Sequence, residues 1–212
     1  MKMLVRGFLS VSRGMMILPL VVVAACGSSS KVDPMNSMST AAAISEARTI
    51  VTNPVFDVRT PVADLPTGAV TYSGFAIVAS ETTDLFLDNE TEISNDPLFA
   101  IGRATINADF DSSSMTGTAN NFIDGNDNQL SGQLTLTATP TLANAAVYNA
   151  EVIGQISAVS GESFEYNTAI TLEVAGPNGE GITGDGQGSI NVPDDSGVDV
   201  ETAYIIGFFG KQ

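Results

Sequence analysis

The chain has 212 residues, and its 24 acidic side chains outnumber the eight basic ones, which gives a net charge of −16. This charge excludes nucleic acid as a partner, because contacts with phosphates need clustered cations. The chain contains one cysteine and neither histidine nor tryptophan. Catalytic Ser–His and Cys–His pairs are therefore excluded, and zinc and copper lose their usual ligands.

The first residues have the order of a secretory leader that ends at a cysteine. Three basic residues precede an apolar run over residues 15–25, and Ala24 and Ala25 stand directly before Cys26. A run of about 11 residues is too short for a transmembrane helix, which needs roughly 20. The order predicts a bacterial lipoprotein signal peptide over residues 1–25, with Cys26 as the acylated first residue of the mature protein. The alternative is a short buried helix with an unrelated cysteine.

Lipidation of Cys26 has consequences for chemistry and for location. It uses the only thiol, so that no cysteine remains for a disulfide, a nucleophile or a metal site. We expect membrane attachment through the acyl chains alone, because the remaining cations are too scattered to dock on anionic lipid. Gly27 is compatible with sorting to the outer membrane of a Gram-negative bacterium, at the cell surface or on the periplasmic face. The remaining basic residues are Lys31, Arg48, Arg59, Arg103 and Lys211.

Residues 26–65 predict a flexible tether followed by one short helix. The tether is indicated by a serine-rich stretch with proline and asparagine that extends to Ser39. Thr40 to Val51 contains an alanine run, begins at a Ser/Thr cap and ends before Pro54, which is the pattern of a helix. A disordered segment is the alternative, because the stretch is short and only moderately apolar.

Residues 66–212 alternate apolar and polar side chains with a period of two, which predicts half-buried strands in an all-β domain. The run from Gly102 to Phe110 is the clearest case, and turn sequences separate successive strands by few residues. Short connections favour an antiparallel up-and-down order. We predict about eight strands, over residues 69–79, 102–110, 115–122, 130–136, 148–156, 170–174, 182–190 and 203–210.

Recurring glycines favour a small closed barrel over a sandwich. Nearly every predicted strand carries one on its apolar face, which suits the tight coiling of a barrel of about eight strands. A sandwich with glycine bulges is the alternative. A transmembrane barrel is disfavoured, because the outward set is mostly polar and no tryptophan is present for an aromatic girdle. The glycines are Gly74, Gly102, Gly117, Gly132, Gly154, Gly186 and Gly207.

These strands resemble a known family, the transferrin-binding protein B-like lipoproteins. The motifs are a Tyr-x-Gly strand, a Gly-x-Ala strand ending in Asp-Phe, a Met-Thr-Gly-Thr-Ala strand and a closing Gly-Phe-Phe-Gly strand, in residues 72–74, 102–110, 115–119 and 207–210. The resemblance covers residues 66–212 and implies a single C-terminal-type, lipidated eight-stranded barrel. It also implies an outer-membrane lipoprotein, in a family in which some members capture host iron-carrying or complement proteins.

A long acidic segment over residues 82–97 is the first candidate for a contact site. It separates the first two strands by more than an ordinary hairpin loop, and long loops are where function tends to lie. Leu85, Phe86 and Leu87 interrupt its carboxylates, and an exposed apolar trio of this kind would contact a protein partner. The alternative, which we favour, is that the trio plugs the end of the barrel.

Two other acidic segments suggest metal sites, and the sequence favours a simpler interpretation of each. Asp124, Asn126 and Asn128 match the first three ligand positions of an EF-hand loop, but the glycine and the bidentate glutamate that should follow are missing. A hairpin turn accounts for these residues. The acidic segment 194–201 could hold a hard cation weakly, and a solvated surface loop is the favoured interpretation. We therefore predict neither a metal nor a cofactor.

Catalysis would require a paired carboxylate in a protected pocket, since histidine and free cysteine are missing. The strand-borne acids are predicted to face outward into water, where their pKa values have no reason to shift usefully. We therefore predict a non-catalytic, lipid-anchored barrel that binds a protein. The alternative is a periplasm-facing carrier with a small apolar ligand in its lumen, which needs a cavity of roughly 300 Å³. The strand-borne acids are Asp109, Glu151, Glu173 and Asp185.

Overall fold

Eight antiparallel strands close into an up-and-down barrel, which confirms the predicted fold class. Each strand pairs with its neighbours in sequence, and the last strand pairs with the first. The computed structural model describes residues 38–81, 93, 95–142, 145–158, 160–193 and 196–212. The predicted leader, Cys26 and the predicted tether up to residue 37 lie outside these residues.

Within residues 38–68, one α-helix and two short 3-10 helices precede the barrel, and the α-helix has the bounds that the sequence predicts. The elements are α1 (Thr40–Val51), the 3-10 helices Pro54–Asp57 and Val62–Asp64, β1 (Ala69–Ser80), β2 (Ala100–Asp109), β3 (Ser114–Ile123), β4 (Ser131–Pro140), β5 (Val147–Ser157), β6 (Ser163–Ala175), β7 (Gly181–Pro193) and β8 (Asp199–Lys211). Among the described residues, no helix combines the length and the apolarity needed to cross a membrane.

The barrel interior is a packed core to which all eight strands contribute. The predicted inward alternation holds on β2, where Ala104, Ile106 and Ala108 are all buried. Aromatic rings fill part of the interior, because all four tyrosines of the chain are at most 2% exposed. They are Tyr72, Tyr148, Tyr166 and Tyr204.

Helix α1 begins at the turn between β3 and β4 and is fixed there by polar contacts. The side chain of Ser39 accepts a hydrogen bond from the N–H of Ala42 (3.3 Å), which caps the helix as predicted. The Thr40 N–H donates to Asp127 Oδ1 and the Thr40 hydroxyl donates to the Asp124 carbonyl, both at 2.6 Å. The start of the helix therefore lies at the end of the barrel where β3 ends.

The outer faces of β1, β2 and β8 are apolar, and α1 packs against them. Phe75 and Ile77 of β1 and Phe209 of β8 point away from the interior and form a second core with one side of the helix. The expectation of a mostly polar outer surface is wrong over this part of the wall. Gly207, predicted on the inward face, belongs to the outer one, since it pairs with Ile77. The helix contributes Ala43, Ile44, Ala47 and Ile50.

Arg103 connects the helix to the barrel wall electrostatically. It lies on the outer face of β2, and its guanidinium binds both carboxylate oxygens of Glu46 on α1, at 2.9 and 3.0 Å. The same guanidinium stacks over the ring of Phe75 at 4.4 Å from its centroid. Bidentate and cation–π contacts both favour arginine over lysine at this position.

The segment between α1 and β1 crosses one end of the barrel, which we call the capped end: the end with the β2–β3, β4–β5 and β6–β7 turns. The N–H of Thr60 donates to the Val174 carbonyl (3.0 Å), and its hydroxyl donates to the Gly176 carbonyl (2.6 Å). The ring of Phe56 lies over Gly181, where a Cβ would meet it at 2.3 Å. We call the opposite end, with the other loops, the far end.

The tyrosine interior makes stability fall at alkaline pH. Burial raises the pKa of Tyr72 from 10.0 to about 12, so the unfolded chain releases this proton first. The contribution of the phenol to stability is complete below pH 10 and is lost as the pH rises toward 12. We expect the urea midpoint, followed by circular dichroism, to fall across this window, and the fall to be smaller in Tyr72→Phe. If the urea midpoint falls equally with pH in the parent chain and in Tyr72→Phe, the loss of stability does not come from Tyr72.

Candidate interaction surface

The predicted contact residues Leu85, Phe86 and Leu87 lie outside the described residues, as does Cys26. Asp96, in the same acidic segment, is described and has a structural role. Its carboxylate accepts the N–H of Ser80 (2.8 Å) and the N–H of Leu98 (2.9 Å), and so joins the end of β1 to the approach of β2.

The Asp124 segment is a turn held by its own side chains. One oxygen of the Asp124 carboxylate accepts the N–H groups of Asn126 (2.8 Å) and Asn128 (2.9 Å), and the other accepts the Asn128 side-chain amide (2.9 Å). These are the contacts of an Asx-type turn. Within the described part of the chain, no group of three acidic or cysteine side chains is arranged to hold a metal ion.

The strand-borne acids lie on the outer face of the barrel, at the positions that the alternation predicts. Glu151 and Asp185 are exposed, and Glu173 forms an ion pair with Arg59 at the capped end. Hydrogen bonds from Ser112 lower the pKa of Asp109, and a backbone hydrogen bond from Asn178 lowers that of Glu180. Neither of these two carboxyls is tuned to release a proton near neutral pH.

The strands β6 and β7 are paired over only part of their length. Five pairs connect them at the capped end, between residues 171–175 and 181–185. Both strands continue toward the far end through residues 163–170 and 186–193, all of which are described, and no ladder pair joins these two stretches. Each strand stays paired with its other neighbour over that length. We call the two unpaired edges the β6–β7 seam.

A second short ladder, between β3 and β4, is closed by other contacts. Its pairs cover only residues 115–119 and 134–138. Beyond them, the N–H of Leu130 donates to the Phe122 carbonyl (2.8 Å), and the start of α1 lies on the adjoining turn. The far end of this ladder is therefore covered, whereas a contact across the β6–β7 seam lies where the seam begins, between Thr168 and Gln187.

Buried hydroxyls occupy the point where the seam begins. The Tyr204 hydroxyl donates to Thr168 Oγ1 (3.0 Å), which donates to the carbonyl of Gln187 on β7 (3.2 Å). A Cβ at position 188 would lie 2.4 Å from each of the two hydroxyl oxygens, so only glycine fits at Gly188. The Tyr166 ring meets Tyr204 edge-on beneath them, with centroids 5.1 Å apart.

The register determines which backbone groups of β6 face the seam. Val174 N–H donates to the Ala146 carbonyl on the β5 side (2.8 Å). Backbone groups of an antiparallel strand alternate between its two sides, and the β5–β6 register is continuous. The odd-numbered residues of β6 therefore direct their N–H and C=O groups toward β7. In the seam these residues are Ser163, Glu165, Asn167 and Ala169.

The same argument applies to β7. Glu81 N–H donates to the Ala203 carbonyl on the β1 side of β8 (3.2 Å), so the even-numbered residues of β8 face β7. The β7–β8 register then directs the backbone groups of Gln187, Ser189 and Asn191 toward β6. The contact of Thr168 with the Gln187 carbonyl agrees with this direction.

Apolar and acidic side chains surround the seam. Phe164, Ile190 and Val192 are partly buried against the interior core, and Val200, on the same face of the β7–β8 hairpin, is 48% exposed. The charged side chains of these strands beside the seam are acidic and exposed: Glu165, Asp199 and Glu201. The stretches 163–170, 186–193 and 199–205, all within the described residues, contain no lysine or arginine.

Sequence reasoning missed the seam, although one signal for it was present. The alternation in residues 182–190 is weak because glycines take the inward positions. Glycine lets β7 lie against β6 at the capped end: a Cβ on Gly184 would lie 2.1 Å from the Thr171 carbonyl oxygen. Glycine at 184, 186 and 188 also leaves the middle of the inner face of β7 without side chains, which reduces the packing that holds it against β6.

No protein-family model matches the chain, and no curated protein sequence matches it. Among solved structures, the chain is similar to crystal structures of two mutants of Transferrin Binding Protein B from Haemophilus parasuis Hp5. The double mutant is 17% identical, with a TM-score of 0.39, and the match covers 73% of this chain and 28% of that one. The single mutant is 15% identical, with a TM-score of 0.35 and coverage of 73% and 29%. The chain thus spans less than a third of the length of either one.

The hydroxyl of Thr168 should be required for stability where the seam begins. In Thr168→Val, the buried Tyr204 hydroxyl and the Gln187 carbonyl lose their shared partner, and we expect the free energy of unfolding to fall by about 1–3 kcal/mol. Thr168→Ser keeps the hydroxyl and should recover most of the loss. Thr135→Val is the matched control, because its hydroxyl bonds to the Ile153 carbonyl on the exposed outer face. Equal losses in Thr168→Val and Thr135→Val, measured by urea unfolding, would show that the buried pair has no special role.

Proposed function

We propose that this chain is a lipid-anchored, non-catalytic protein of the Gram-negative cell envelope that binds a partner protein through the outside of its barrel. The leader order and the position of Cys26 support the anchor. Residues 27–37 separate Cys26 from the first described residue, and a stretch of that length spans at most about 40 Å. The barrel would therefore stay close to the membrane surface.

The filled interior is the observation that carries the binding assignment. The interior side chains Val78, Leu134, Val152, Leu172 and Phe208 are all 0% exposed, so no water-sized space lies beside them. A carrier needs a lumen of roughly 300 Å³. The packing therefore supports recognition at the outer surface rather than ligand transport in the lumen.

The positions of the carboxylates support a non-catalytic role. The strand-borne acids lie on the outer face, and hydrogen bonds lower the pKa values of Asp109 and Glu180. A general acid needs a carboxyl whose pKa is raised by burial or by a like charge. The carboxyls of the strands are placed for solubility and for surface contacts instead.

The anchor can be tested directly in a Gram-negative host fed an alkyne analogue of palmitate. We expect the full chain to take up the label and to sediment with membranes, and Cys26→Ser to do neither. Ser29→Ala, in the same segment, is the control and should behave as the unmodified chain does. Labelling of Cys26→Ser, or an unlabelled parent chain, would contradict the proposal.

Protein binding can be tested by chemical cross-linking on intact cells followed by purification of the full chain. We expect a specific protein to be recovered with the anchored chain. The unfolded-core variant Phe208→Asp serves as the control and should recover nothing comparable, because the contact depends on the folded barrel. Recovery of the same proteins with both chains, or of none with the parent, would contradict a binding role.

A further inference from the structure

We propose that the β6–β7 seam binds an extended, lysine- or arginine-bearing segment of a partner protein, which adds as a strand to the edge of β6. This inference rests on the proposed function, because it names the surface through which the barrel would recognise that partner. It follows from three features of the seam, which are its unpaired backbone groups, its partly exposed apolar side chains and its acidic border.

The edge of β6 is the more complete of the two edges. Ser163, Glu165 and Asn167 each present an N–H and a C=O toward the seam, whereas the Ala169 carbonyl already lies against Gly186 of β7. On β7, Pro193 has no N–H, and the Ser189 side chain is engaged with Glu201 at 2.7 Å. A strand added to an exposed edge obtains its affinity from main-chain hydrogen bonds of this kind.

The surroundings of the edge define the chemistry of the occupant. In a strand paired with β6, alternate side chains would point inward, where Phe164, Ile190 and Val192 are only partly buried. The other side chains would point outward, beside Glu165. The complementary segment therefore alternates apolar and basic residues.

The charges favour such a segment over a second copy of this chain. The net charge of −16 makes two copies repel each other, and Glu165 of one copy would lie near the acidic seam of the next. Proline and charged residues on an edge are also the usual means by which sheets resist pairing with themselves.

The test uses the full chain, purified in mild detergent, and an octapeptide that alternates valine and lysine. We expect the peptide to bind, as measured by fluorescence anisotropy, and to slow hydrogen exchange at residues 163–167. Methylation of alternate backbone nitrogens removes the donors and keeps every charge, so we expect it to weaken binding by about tenfold or more. Equal binding of the methylated peptide, or no protection of these residues, would overturn the proposal.

Two variants locate the site on β6. Asn167→Pro removes an N–H that faces the seam, a position at which an edge strand tolerates proline, and we expect it to weaken binding by about tenfold. Glu165→Lys keeps the backbone intact and should weaken binding by about threefold. Asp64→Lys makes a charge reversal at the capped end and should have no effect. Circular dichroism checks that each variant is folded. Unchanged peptide binding by Glu165→Lys would contradict the claim that the acidic side chains beside the seam attract the basic segment.

Analytical sedimentation tests whether a second copy of the chain occupies the seam. Cross-linking on cells distinguishes failure of the seam as the binding site from failure of the proposed protein-binding function. A dimer of the parent chain that Asn167→Pro abolishes would overturn the proposal in favour of a second copy. If Glu165→Lys and Asn167→Pro recover the same cellular partner as the parent does, the seam is not the site, although the barrel still binds. If the parent recovers no partner, the proposed function itself fails.

Discussion

Closure of the sheet depends on the ladder between its first and last strands, and that ladder needs a cover on its outer side. Phe75 of β1 and Phe209 of β8 face each other across it on the outside, with ring centroids 6.3 Å apart. If these two rings were exposed to water, they would form an apolar strip on the outer surface of the barrel. Helix α1 buries that strip, and Arg103 stacks on Phe75 while holding Glu46 of the helix. The element that precedes the barrel in sequence thus completes it.

The strands could be predicted because the barrel interior imposes a period of two on most of the chain. The same rule explains what could not be predicted. Residues 74–79 of β1 are buried on both faces, so alternation there no longer indicates which side chains point inward. Residues 206–210 of β8 are likewise buried on both faces, which is why the alternation assigns Gly207 to the wrong one. The bounds of α1 followed from its cap and from Pro54, but its position on the barrel depends on contacts distant in sequence, such as that of Thr40 with Asp127.

The candidate surface was less predictable than the fold. Composition drew attention to Leu85, Phe86 and Leu87, because an apolar trio among carboxylates is conspicuous in a sequence. An unpaired edge gives a weaker local signal, since β6 alternates as ordinary strands do, and β6 and β7 each keep one complete ladder. The buried contact between Thr168 and Tyr204 lies where their pairing ends, and it joins residues of two different strands that are distant in sequence. Only the glycines at 184, 186 and 188 hinted at it.

The route of the chain into the fold has a mechanical consequence. A pull on the N-terminal segment reaches the barrel first through Met38, which contacts Arg103 of β2, and through Thr40, which contacts the β3–β4 turn. The load then passes along α1 to the Glu46–Arg103 pair. Helix contacts of this kind yield before a closed set of strand hydrogen bonds does, because few of them share the load. Under tension the helix would therefore detach from the barrel wall before the barrel itself unfolds.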